Sequence, residues 1–184
     1  MAAAVTTLAA FACGTPDTGP GANTAGSSTP AGGPATGASA SDFTARDIDG
    51  KTVKLSTYLG KQAVLLDFCA TWCEPCVAEF PHLRRLYQTN KDKGFVVLAV
   101  AMDGPETVAN VPAFARRNQL DFPVLTDEDS HIASLYNPKK SAPLSVLIDK
   151  QGRVAAIREG YNPGDESELA KDVAKVLDAS GAAK

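Results

Sequence analysis

The sequence predicts an α/β domain built on a mixed sheet, and three observations carry that prediction. Strand patterns alternate with helical ones through the middle of the chain, two of the strands are nearly continuous apolar runs, and a hairpin followed by a helix comes last. The two runs are AVLLDFCA at 63–70 and FVVLAVAM at 95–102. A strand that is apolar at nearly every position is covered on both faces, as the central strands of such a sheet are.

Taken in order, residues 42–59 read as short strands and a turn, because Asp49-Gly50 is a hairpin signal and Val53 and Leu55 alternate with Lys54. The run at 63–70 follows, interrupted by one polar residue, Asp67. Helical spacing then takes over, with Val77, Phe80, Leu83, Leu86 and Tyr87 on one stripe and Arg84, Arg85 and Gln88 off it. This helix should end before Gly94, with Lys91 and Lys93 near its C-terminus. After the second run, Val108, Val111, Phe114 and Ala115 suggest a helix that Pro112 kinks or splits. FPVLTD gives a short strand, and Asp129 or Ser130 is the expected cap of a helix through Tyr136. PLSVLID, the turn at 150–152 and RVAAIRE form a hairpin, and Leu169, Val173, Val176 and Leu177 mark a last helix over about 165–179.

Charge separates this domain from what precedes it. Residues 1–41 hold one charged residue, Asp17, and from Gly14 to Ser41 every position except Asp17 and Asn23 is Gly, Ala, Pro, Ser or Thr. Such a composition cannot bury enough apolar surface to offset the entropy of ordering, so 14–41 is expected to be a flexible linker and 42–184 the domain. The formal net charge of -3 gives no reason to invoke nucleic acid. After residue 13 no segment reaches the roughly 18 apolar residues that span a bilayer. The first 13 residues, MAAAVTTLAAFAC, have the apolar core of a secretory signal and end in small residues before a cysteine. They resemble a bacterial lipoprotein signal, which implies lipidation of Cys13, a tether with a reach of about 30 Å, and a domain held outside the cytoplasm at a membrane face. Simple secretion fits the same segment.

The chemistry concentrates in FCATWCEPCVAEFP, 68–81, where Cys69, Cys73 and Cys76 fall close together. A structural zinc site takes four Cys or His ligands, commonly as two spaced pairs, whereas one C-x-x-C is present and His82 and His131 stand alone. A permanent staple is a poor reading too, since a disulfide closing so short a loop removes little unfolded-state entropy. A redox role has a physical basis. Cys73 lies just after a strand and Cys76 in the first turn of the next helix, so the helix N-terminus directs N–H groups and positive dipole at Cys73 and favours the nucleophilic thiolate. Pro75 suits a helix start, because its missing N–H would have had no intrahelical partner. Cys76, one turn on and more buried, can attack a mixed disulfide and release product.

At this point the domain resembles the TlpA and ResA branch of the thioredoxin superfamily, through DGKTVKLSTYLGK before the strand, ATWCEPCVAEFP at the site and SAPLSVLIDKQGRV near the end. The resemblance implies a thioredoxin-like fold, a central mixed sheet flanked by helices, with an added helix and strand between about 103 and 138. It also implies that Pro143, after Ala142, is a cis-proline that faces the disulfide and aligns substrate backbone. Glu79, in C-x-x-C-x-x-E-x-P, matches the branch's acid near the site, and Asp67, six residues before Cys73, matches the buried acid of thioredoxin. A carboxyl buried beside a thiol has a raised pKa and can exchange the proton of the resolving cysteine. Glu79 could equally be an ordinary solvated helix residue, and Asp67 a strand-end acid bonded to backbone. Glu74, inside the motif, is expected to be exposed and to tune the thiols by its charge, while Trp72 packs on the motif and covers substrate or else fills the core. Cys69 departs from the large residue usual at its position; it is a small buried hydrophobe or a third thiol able to trap a neighbour.

The function so implied is extracytoplasmic thiol–disulfide exchange with protein disulfides, with apocytochrome c as a substrate, a membrane electron donor upstream, and no cofactor beyond the Cys73–Cys76 pair. A monomer is expected, in contact with the membrane through its lipid alone. Two other readings stand beside it. A peroxiredoxin-like thiol peroxidase would want a proline and threonine ahead of Cys73, and Thr71 is only two residues away. A Cu(I) metallochaperone would use the soft thiolates with a histidine, although His82 and His131 read more simply as surface or capping residues.

Overall fold

The computed structural model describes residues 1–3 and 33–179; the Cys13 signal and the linker up to residue 32 lie outside the described residues. Seven strands form one mixed sheet: β1 (Thr44–Asp47), β2 (Thr52–Lys54), β3 (Ala63–Cys69), β4 (Phe95–Ala101), β5 (Val124–Thr126), β6 (Leu144–Ile148) and β7 (Val154–Glu159), in the order β2-β1-β5-β4-β3-β6-β7. β4 runs parallel to both β3 and β5, and the remaining pairs are antiparallel. Among the described residues four α-helices accompany the sheet: α1 (Glu74–Asn90), α2 (Val111–Arg117), α3 (His131–Tyr136) and α4 (Asp165–Ala179).

The unbroken apolar runs are explained by what covers the sheet. On β3, Ala63, Leu65 and Cys69 face a core shared with Phe80 and Leu83 of α1, Phe114 of α2 and Leu169, Val173 and Val176 of α4. The alternate residues Val64, Leu66 and Phe68 face a second core with Phe43, Leu55, and Ile132 and Tyr136 of α3. β4 divides in the same way, so both central strands are buried at every position and gain burial free energy from both faces. A T-shaped ring pair, Phe80 with Phe114 at 5.7 Å between centroids, joins α1 to α2.

The elements agree with the sequence reading at most points and differ at three. The segment holding Pro112 is split as expected, the 3-10 turn Val108–Asn110 leading directly into α2 with Pro112 in its first turn. On α1 the buried stripe runs through Cys76, Glu79, Phe80 and Leu83, whereas Val77 is exposed; the helix turns a carboxylate inward where the apolar pattern placed a valine. Of the two expected caps of α3, Asp129 accepts the N–H of His131 at 3.2 Å, while Ser130 is left-handed at φ 57 and makes no side-chain cap bond. Asp127 adds to the cap from further back, accepting the N–H of Ile132 and of Ala133, each at 2.8 Å. The third difference is the domain start. Residues 33–41, expected as linker, add to the fold through backbone bonds that need no apolar side chain: Gly37 N–H donates to Val154 O, Val154 N–H to Ala38 O, and Ala40 N–H to Gly152 O, with a bridge from Ser39 to Arg153. The segment 103–138 contributes α2, β5 and α3, and β5 stands between β1 and β4 in the sheet.

Candidate active site

β3 ends at Cys69, and four residues carry the chain to α1. That short crossing is pinned from the neighbouring strand, because the buried Asp103, just beyond β4, accepts the Thr71 N–H at 3.0 Å and the Thr71 hydroxyl. Met102 N–H donates to Cys69 O, and Cys73 N–H to Ala70 O. Cys73 arrives as the N-cap of α1 with extended backbone, and its Sγ accepts the N–H of Cys76 at 3.2 Å. Pro75 occupies the first turn. The sulfur thus sits where the helix presents unpaired N–H groups and positive dipole.

Cys73 and Cys76 are joined in a disulfide, with Cα atoms 5.4 Å apart. Both are buried, Cys76 completely. Trp72 is 65 % exposed, so it stands on the surface beside the disulfide and fills no core; Glu74 and Pro75 are exposed as well. The Ala142-Pro143 bond is cis. Its place follows from register: Phe68 pairs with Leu144 across β3 and β6, and one residue further sets Pro143 opposite Cys69, at the sheet end from which the cysteine loop leaves. Gly160 N–H donates to Pro143 O at 2.8 Å, tying the preceding loop to the end of β7.

Two acids lie under the loop. Asp67 is wholly buried on the face of β3 that carries Leu65 and Cys69 toward α1. One of its oxygens accepts the Ser145 hydroxyl at 3.1 Å, and the other has no hydrogen-bond partner. Glu79, 6 % exposed one turn after Cys76, likewise has a buried oxygen without a partner. Burial pushes the Glu79 carboxyl up to about 9, with the charges of Asp67 and Asp165 adding to it. Burial also raises Asp67, to about 7, against the lowering effect of the Ser145 bond. Neither acid is the solvated or backbone-bonded residue that the sequence left open.

Cys69 is free and buried, and its thiol is held well above its ordinary value by burial, then by Asp67, Asp103 and Glu79. A thiol kept neutral is a poor nucleophile, which agrees with the small-hydrophobe reading. The histidines are apart from the cysteines in role: the His82 ring lies 6.0 Å from that of Tyr161, and His131 is exposed at the start of α3. Among the described residues no three His, Cys, Asp or Glu side chains are grouped to hold a metal ion. Asp103, Asp127, Ser145 and Asp165 were not singled out from sequence; each is one polar residue at an element end or in an apolar strand, with no spacing to a cysteine to mark it.

A groove of about 630 Å³ opens between α1 and α4, lined by Glu79, His82, Leu83, Arg158, Tyr161 and Leu169 among others.

A mixed sheet ending in a disulfide at a helix N-terminus, beside a cis-proline and above buried carboxyls, defines a thiol-disulfide oxidoreductase of the thioredoxin superfamily. Comparison with known proteins agrees and narrows the class. The AhpC/TSA family profile matches residues 36–157. The thiol-disulfide oxidoreductase ResA of Geobacillus thermodenitrificans is 37% identical over 126 residues, 68% of this chain and 70% of the relative. Among solved structures, a candidate thiol:disulfide interchange protein DsbE from Chlorobium tepidum superposes with a TM-score of 0.72 at 33% identity, covering 78% of this chain and 99% of that one. A candidate protein disulfide isomerase from Bacteroides thetaiotaomicron gives 0.71 at 28% identity, covering 79% and 91%. The chain belongs to the AhpC/TSA family, in its TlpA/ResA-like branch of thiol-disulfide oxidoreductases.

Proposed function

We propose that the chain exchanges electrons with disulfides of proteins outside the cytoplasm through Cys73 and Cys76, the haem-attachment cysteines of apocytochrome c being the substrate class and a membrane-bound donor returning the electrons. The observation that carries this reading is the position of Cys73 Sγ, at the N-cap of α1 and accepting the Cys76 N–H, with Cys76 wholly buried behind it. In the reduced protein the Cys73 thiolate attacks one sulfur of the substrate disulfide; that S–S bond breaks, a mixed disulfide forms, and one substrate sulfur leaves as thiolate. Cys76 then loses its proton to a buried carboxylate and attacks Cys73. The mixed disulfide breaks, the second substrate sulfur leaves, and both substrate sulfurs take up protons as the protein becomes oxidised. Asp67 and Glu79 serve these proton transfers. Trp72, Glu74, Pro75, Ala142 and Pro143 form the surface on which substrate lies, and the disulfide is the whole of the redox machinery. Cys69 stays a neutral thiol.

The segment ending in Cys13 supports secretion with a lipid anchor, and a redox-active disulfide suits an oxidising compartment. The domain acts as a monomer. Thiol–disulfide exchange is favoured over peroxide reduction because the Thr71 hydroxyl is committed to Asp103 and Cys73 already has its resolving partner three residues away. Replacing Cys76→Ser should trap Cys73 in a stable mixed disulfide with a protein substrate, while Cys73→Ser should trap none and abolish exchange. Unimpaired turnover in Cys76→Ser would end this reading.

A further inference from the structure

Asp67, Ser145 and Arg158 stand side by side across the sheet: Asp67 pairs with Ser145 between β3 and β6, and Ser145 with Arg158 between β6 and β7. Laterally paired residues present their side chains on the same face of a sheet, here the face covered by α1 and α4. Arg158 turns to α4 and donates to Asp172 through Nε and a terminal nitrogen. Ser145 remains next to Asp67. It is the one polar residue of a strand, LSVLI, that is buried throughout, and its hydroxyl donates to one oxygen of Asp67 at 3.1 Å. A hydroxyl inside an apolar strand costs free energy unless its hydrogen bond is made, and the carboxylate makes it.

We propose that Ser145 is a positioning residue for the exchange reaction: its hydroxyl holds one oxygen of Asp67 and favours the ionised carboxylate, leaving the other oxygen free to take the proton of Cys76. The inference rests on the role given to Asp67 above. Asp67 Oδ2 is without a partner and lies on the sheet face that carries Cys69 and packs beneath Cys76. Asp67 acts electrostatically on Cys69 of its own strand and on Glu79 of α1; beyond these, Asp103 after β4 acts on Cys69, Asp165 of α4 acts on Glu79, Arg158 on β7 is paired with Asp172 of α4, and Cys76 of α1 lies in the same core as Cys69. Glu79 has no donor comparable to Ser145 among its described contacts. A donated hydrogen bond favours the charged carboxylate, so the serine separates the two buried acids in role. Asp67 is the base that receives the Cys76 proton, and Glu79 stays protonated and supplies a proton to the departing thiolate. The Cys76 sulfur then bonds to Cys73 as the Cys73–substrate bond breaks, with no further oxidant or reductant needed.

The test uses the full chain, reduced, with Cys73 loaded as a mixed disulfide with a small chromophoric thiol, and follows release of that thiol by Cys76 as a function of pH. Release rises as its base ionises. Ser145→Ala should move the midpoint of that rise upward by about one pH unit and slow release below it roughly tenfold, the size of one hydrogen bond to a charged group. Ser145→Thr, which keeps the hydroxyl, should restore the parent profile, and Asp67→Asn should remove the transition. Ser145→Val suits a strand and serves in place of alanine should that variant not fold. A midpoint unmoved in both Ser145→Ala and Ser145→Val, with the transition lost in Asp67→Asn, would overturn the role of Ser145 and keep Asp67 as the base. A profile unchanged in Asp67→Asn would overturn the base role of Asp67, and that of Ser145 with it.

Discussion

Glu79 and Asp67 show what a buried carboxyl costs the fold. Each has its pKa raised in the folded chain, first by burial, so across the range between the ordinary carboxylate value and the raised one the folded protein binds more protons than the unfolded one. Stability contributed in this way is present at acid pH and lost as pH rises, up to about 7 for Asp67 and about 9 for Glu79. Neutral replacements remove that loss. Glu79→Gln and Asp67→Asn should each raise the melting temperature of the oxidised protein at mildly alkaline pH, with a gain of about 1 kcal/mol or more, and flatten its dependence on pH. Melting curves across pH check this, and a parent-like slope in both variants would contradict it. The same two acids were legible in the sequence, because each stands at a fixed spacing from Cys73 or Cys76. Ser145 and Asp103 were not, since one small polar residue at a strand position has no periodic signature and acquires meaning from the side chain opposite it.

The elements were legible where a period or a stop signal spoke plainly. β3 and β4 follow their apolar runs, α1 gives way to a 3-10 turn that ends at left-handed Gly94, and α4 spans 165–179. The short helix α3 shows where local rules fall short. Asp129, of capping type, accepts the first helix N–H from His131, but the next two, of Ile132 and Ala133, go to the buried Asp127 carboxylate beyond the left-handed Ser130. That bidentate cap also fixes the link from β5 to α3. Asp127→Ala should destabilise the domain by about 2 kcal/mol, at the upper end for lost caps because the freed N–H groups are buried. Ser130→Ala should change little. Chemical denaturation compares the two, and equal losses would return the capping role to the residue next to the helix.

For the molecule as a whole, the domain begins earlier than composition indicated. Gly, Ala and Ser at 33–41 have little apolar surface to bury, but their backbones pair with β7 and the turn before it, and the Tyr136 hydroxyl donates to Ser41 O. Composition reports side chains; this attachment is made by main chain and was invisible to it. The sheet then sets the site, because β3 delivers the cysteine loop, β4 pins it through Asp103, and β6 brings Pro143 and Ser145 alongside. Two close-packed cores, one on each face, hold these three strands in place. Among the described residues no helix is long and apolar enough to cross a membrane. The measurement that tests the account most directly is a redox titration of the protein with mass spectrometry of its cysteine pairing at each potential. One reversible two-electron transition that joins Cys73 to Cys76 and leaves Cys69 a free thiol throughout is expected; a dominant bridge that includes Cys69, or no reversible transition, would contradict the proposed exchange through Cys73 and Cys76.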